Sequence, residues 1–241
     1  LDAGVQVLLC NPACNLRDCP PFASLHGHPP PRDPAAWNRD FDRGVQAQAG
    51  GRPGEAIAAF DAAAREDSRF AELHFRLAGA HLALTNLSQA RAGFERARDW
   101  DALPFRADAA LQSIVTAVGS RYAGRGVQLL DAAGVLAAAA PDQIPGLESF
   151  FEHVHLNFEG NYRVARAMAD RIAPLLPERV RSGATADWPG PEVCALRLGL
   201  SDWNRRAVYE NVLGRLTEAP FTNQLAHADR CGIPVAVIVG E

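Results

Sequence analysis

Residues 56–63 read AIAAFDAA and residues 90–97 read ARAGFERA. The two stretches lie 34 positions apart, and Ala56, Phe60 and Ala63 fall on Ala90, Phe94 and Ala97. Extending the alignment sets residues 37–70 on 71–104, with Gly44 on Ala78 and Leu77 one residue earlier in the second copy. A fixed period of this length marks stacked supersecondary units. Each unit divides into two helical stretches, 37–49 with 53–66 and 71–84 with 87–99. GGRPG and TNL part them, and such residues punctuate helices. Small residues at the first and third positions let two helices approach closely, and the phenylalanine fills the groove between them.

The period and these positions resemble a pair of tetratricopeptide repeats over residues 37–102. A generic pair of helical hairpins is the open alternative. The resemblance implies a helical face for a protein or peptide partner. Two units are few for a stack that must bury its own faces, so the pair is expected to pack on something else in the same chain.

The bulk numbers exclude more than they select. The 241 residues are 48% hydrophobic and 22% charged, ordinary for a globular protein. A net charge of −4, with every basic residue an arginine, gives no electrostatic case for nucleic acid or an anionic membrane surface. No apolar run approaches the roughly 18–20 residues that span a bilayer. The first residue is leucine and VQVLLC (5–10) already reads as a strand, so no signal peptide is legible and the chain is expected to be an internal or truncated piece. Cys10, Cys14 and Cys19 cluster while Cys194 and Cys231 stand apart. Their spacing, with only His26 and His28 downstream, matches a zinc site poorly. Free or buried thiols are expected, with a disulfide among the first three left open.

Around the repeats the pattern changes. VQVLLC runs into a proline-rich loop, NPACNLRDCPPFASLHGHPPPRDP. After the repeats a helix is predicted at 106–119, then a second apolar run, GVQLLDA (126–132), a helical AAGVLAAAA, and a strong helix at 161–176. In the last, Val164, Ala165, Met168, Ala169, Ile172 and Leu176 keep helical spacing. Short continuous apolar strands separated by helices indicate a buried parallel sheet. The expected class is therefore α/β, with the repeats inserted. Residues 192–230 carry further helical stretches, and IPVAVIVG (233–240) is strand-like.

The chemistry concentrates in FFEHVHLNFEGNYRVARAMA (150–169). Glu152 and His155 stand three apart where a loop turns into a helix, so the carboxylate can hold one imidazole nitrogen and leave the other to accept a proton. Asn161 is a candidate N-cap. Two bland alternatives stay open: half of a metal site on His153 and His155, and a helix-entry loop with no chemistry.

This block, after a strand ending in Asp131 and before a long helix, is similar to the last conserved block of SGNH (GDSL-type) hydrolases. The resemblance places His155 on the catalytic histidine, Glu152 on the acid, and Asn157 and Gly160 on the asparagine and glycine that follow. Glutamate replaces the usual aspartate and Leu156 the usual proline. Asn15, Arg17 and Asp18, with His153, form a possible substrate-side loop, in which Arg17 either pairs with Asp18 or reaches a substrate anion. LPFRAD (103–108) belongs to the resemblance with no role for Arg106. The family's nucleophilic serine and the glycine and asparagine of its oxyanion hole have no counterpart here. Ser24, Ser68, Ser88, Ser113, Ser120, Ser149, Ser182 and Ser201 lie in other contexts.

The resemblance implies a partial flavodoxin-like three-layer domain in two parts, 1–36 and 103–177, around the repeats, with a helical extension at 178–241. It implies an ester hydrolase acting on a small acyl-ester or O-acylated substrate, inactive as this piece alone. No metal or organic cofactor is implied. Export or membrane anchoring through an N-terminal segment is implied by the family, not by these residues. The alternative is a protein-interaction scaffold with a non-catalytic α/β support.

Overall fold

The computed structural model describes residues 5–182 and 187–222. Helix dominates. In chain order the elements are β1 (Val7–Cys10), α1 (Pro34–Ala49), α2 (Pro53–Glu66), α3 (Ala71–Ala83), α4 (Leu87–Asp99) and α5 (Ala109–Arg121). There follow β2 (Val127–Leu130), α6 (Ala132–Ala139), α7 (Phe158–Ile172), α8 (Glu178–Arg181), α9 (Pro191–Arg197) and α10 (Asp202–Leu216). The described residues form two compact units, one from 5–18 with 106–182 and 187–212, and one from 19–105 with 213–222.

The second unit is the repeat pair. α1 begins at Pro34, three residues before the expected start, because Asp33 caps it: its carboxylate accepts from the amide of Ala36 at 2.9 Å. Proline also opens α2, a position where its missing N–H costs nothing. The α1–α2 turn needs Gly51, whose φ of 68° suits glycine. All eight aligned positions are buried: Gly44 and Ala78, Ala56 and Ala90, Phe60 and Phe94, Ala63 and Ala97. Phe60 lies against Gly44, where an added Cβ would come within 2.4 Å of the ring. Trp37, Phe41, Phe60 and Phe70 line the core of the first repeat with Leu73 and Ala80 of the second.

Two acids anchor the segment that precedes α1. The amides of Phe22 and Ala23 donate to Asp101 at 2.9 and 3.1 Å. Asp67 accepts from the Gly27 amide at 3.0 Å and from Nδ1 of His26 at 2.8 Å. Asp67 and Asp101 are themselves 34 residues apart, one after each second helix. Each also accepts from the amide two residues on, Arg69 at 2.9 Å and Leu103 at 3.1 Å. The repeat therefore extends beyond its apolar positions to a buried carboxylate at each helix end.

In the first unit, β1 and β2 pair in parallel, Val7 opposite Val127 through Cys10 opposite Leu130. α5 and α7 both pack against the two strands, and Gly119 lets α5 approach the side chain of Leu129. Among the described residues the sheet has two strands, so the flavodoxin-like core is not seen. What stands is a mostly helical chain with a tetratricopeptide-type segment and a small parallel sheet. The cysteines at 10 and 194 are free thiols. The strand-like tail at 233–240 and most of the helical stretch 220–230 lie outside the described residues.

Candidate functional site

At the carboxyl ends of both strands, Asn11 and Asp131 join through a 2.7 Å hydrogen bond from Nδ2 to Oδ1. Asp131 also caps α6, accepting from Gly134 at 2.9 Å. The loop after β1 then lies on the segment before α7. The Asn15 amide donates to the carbonyl of His153 at 2.9 Å, and the amides of Leu16 and Arg17 both donate to that of Pro145, at 3.0 and 3.1 Å. The helix that follows starts at Phe158. Asn157 is its cap, accepting from Gly160 at 2.9 Å, where Asn161 had been expected. Gly160 is needed because a Cβ there would fall 2.2 Å from the carbonyl oxygen of Ser149.

Between these anchors residues 150–156 form a tight loop, closed by a bridge from Phe150 to Leu156 and by the Phe151 amide donating to His155 at 2.9 Å. Glu152 folds back inside it. Its Oε1 accepts from the amides of Val154 at 3.3 Å and His155 at 2.6 Å, and meets Nδ1 of His155 at 2.5 Å. The extra methylene of glutamate is thus accommodated by the turn of the backbone. Oε2 of the same carboxylate faces Nδ1 of His153.

The two imidazoles differ in setting. The side chain of His155 is 64% exposed and that of His153 12%, with Glu152 at 9%. Burial pushes His153 down to about 4, aided by the charges of His155 and Arg106. His153 is therefore a neutral ring at ordinary pH, and His155 is the one presented to solvent.

The expected substrate-side residues come together only in part. Arg17 is committed to its own surroundings, to Asp18 at 3.0 Å, to Glu148 at 2.5 Å and to the carbonyl of Ile144 at 3.3 Å. Asp18 also accepts from Leu147 at 2.8 Å. Asn15 is fully buried and structural, its Oδ1 accepting from the Asp18 amide at 2.9 Å. Arg106, given no role from sequence, is 3% exposed and donates to the carbonyl of Asn15 at 3.1 Å. A buried arginine leaves no periodic trace, so only the surrounding motif could have drawn attention to it.

Metal-type donors from Glu152, His153 and His155 lie within 4.8 Å of one another. Oε1 already accepts from two backbone amides, and the buried Arg106 cation opposes a second positive charge nearby. The arrangement suits a carboxylate-held imidazole better than a cation.

Comparison with known families gives one match. The model of the tetratricopeptide repeat family matches residues 47–114, which takes in α2, α3 and α4 whole. Comparison with the curated proteins finds no match, and comparison with the solved structures finds none.

Proposed function

We propose that the chain works as a protein-interaction module, recognising a peptide or partner helix through its tetratricopeptide-type segment. The observation that carries this reading is the family match over residues 47–114, which takes in α2, α3 and α4, together with the burial of every aligned position of the two hairpins. Burial of the apolar positions leaves Asn38, Arg39, Asp42 and Gln46 of α1 exposed. A mixed-charge face of this kind fits recognition by hydrogen bonds and rim charges. The test is selection of peptides from a displayed library on the full chain, followed by Arg39→Glu with Asp42→Arg. Peptides whose affinity falls at least about tenfold, or 1.4 kcal/mol, with helicity unchanged, support the reading. Selected peptides indifferent to both substitutions, or no selected peptides at all, overturn it.

A second reading has its own observation, the 2.5 Å contact of Glu152 Oε1 with Nδ1 of an exposed His155. A carboxylate holding one nitrogen of an exposed imidazole is what a hydroxyl-activating pair requires. In this reading the chain carries the acid and base of an SGNH-type ester hydrolase. A serine hydroxyl attacks an acyl carbonyl, His155 takes its proton and returns it to the leaving alcohol, and Glu152 holds the ring and balances its charge. Acyl transfer to another hydroxyl would use the same groups. The measurement is hydrolysis of a short-chain p-nitrophenyl ester by the full-length protein. His155→Ala should lower turnover by about 10²–10⁴-fold with helicity intact. Turnover surviving that change removes His155 from the chemistry.

A further inference from the structure

Glu152 faces two imidazoles, and a carboxylate that is to steer one of them must be kept from being shared evenly with the other. The means lie in the loop after β1. Arg106 is almost completely buried and donates to the carbonyl of Asn15 at 3.1 Å. The amide of Asn15 in turn donates to the carbonyl of His153 at 2.9 Å. Asn15 is itself fully buried and locked by its side-chain bond to the Asp18 amide, so this relay has little freedom to shift. At its far end is the peptide of His153, flanked by Glu152 and two residues from the exposed His155.

We infer that Arg106 is a positioning residue for the Glu152–His155 pair, seating the peptide of His153 through Asn15 so that one imidazole stays buried while the other stays open to solvent. The inference rests on the second reading above, in which His155 moves a proton. The guanidinium acts twice. As a donor it anchors the segment that carries Glu152. As a buried cation beside His153 it discourages that ring from taking a proton, which reserves the carboxylate for His155. The charged or titratable groups that reach His153 include Glu152, His155 and Arg106.

The experiment follows the imidazole resonances of the full chain by NMR across a pH series, with no substrate present, so its outcome is separable from the presence or absence of ester hydrolysis. In the wild type the His155 ring should show the Nδ1–H tautomer that donates to Glu152. Arg106→Gln should raise the titration midpoint of His153 by about half a unit or more and reduce that tautomer. Arg106→Lys, which keeps the charge, should restore the His153 midpoint. Unchanged midpoints and tautomers in a folded R106Q chain overturn the inference. Where R106Q does not fold, the wild type decides. A His153 ring that titrates at or above the ordinary imidazole value of about 6.5 overturns the proposal equally.

Discussion

Gly44 shows how a single position can set the distance between two helices. A Cβ there would stand 2.4 Å from Cε1 of Phe60, inside the contact limit of carbon atoms, and Phe60 is fully buried with little room to retreat. Gly44→Val is expected to cost about 1–3 kcal/mol, the usual range for overpacking, read as a lower urea midpoint at unchanged m-value. A midpoint within error of wild type would mean the ring has space that the packing does not suggest. Phe60→Ala should cost more, about 3–5 kcal/mol, because it leaves a void at the centre of the first repeat. Both positions were legible in the sequence, since the 34-residue recurrence sets Gly44 on Ala78 and Phe60 on Phe94. Arg106 and Asn15 were not legible as partners. Their hydrogen bond joins residues 91 apart, and no local pattern encodes a contact of that reach.

At the scale of elements, the helix ends carried most of the differences. α5 starts at Ala109, three residues later than expected, because the Asp108 carboxylate accepts from Leu111 at 2.7 Å and so defines the first turn. α7 starts earlier than expected because Asn157 takes the capping role. Local sequence offered two asparagines around Gly160, and only the backbone path decides which one caps. Asn157→Ala should cost about 0.5–2 kcal/mol and weaken protection of the Gly160 amide in hydrogen exchange; an unprotected Gly160 in the wild type would contradict the assignment. The buried acids after α2 and α4 could have been found from sequence, because Asp67 and Asp101 obey the same period as the apolar positions. They were missed because only apolar and small residues were aligned. Asp101→Ala leaves the amides of Phe22, Ala23 and Leu103 without their acceptor, an expected loss of about 3 kcal/mol. A loss below about 0.5 kcal/mol, within the range of ordinary surface changes, would show that water replaces the carboxylate.

For the whole molecule, the titrating groups point to one pH dependence. His153 is held down to about 4 and His74 is lowered from 6.5, in both cases chiefly by burial. The unfolded chain takes up these protons near pH 6.5 while the folded chain resists them, so stability is full above 6.5 and declines as pH falls toward 4. Asp67, lowered from 3.8 by the amides of Arg69 and Gly27 and by His26 against the opposing cost of burial, withdraws its contribution only at still lower pH. Denaturant midpoints should therefore fall between pH 7 and 4, and His153→Gln should flatten part of that slope. A pH-independent midpoint in this window would argue that both rings are protonated in the fold. The sequence conveyed the helical repeat pair at this scale and correctly placed two strands. It could not convey how far the sheet extends, because a short apolar run states that a strand is buried and says nothing of its neighbours.

The matched acids at the two helix ends give the array a built-in docking rung. Copying residues 71–104 once more would add a third rung with no native tenant, since residues 22–27 already satisfy the first two. A protein lengthened in this way would offer protein engineers an empty socket for a grafted loop, addressed chiefly by main-chain amides.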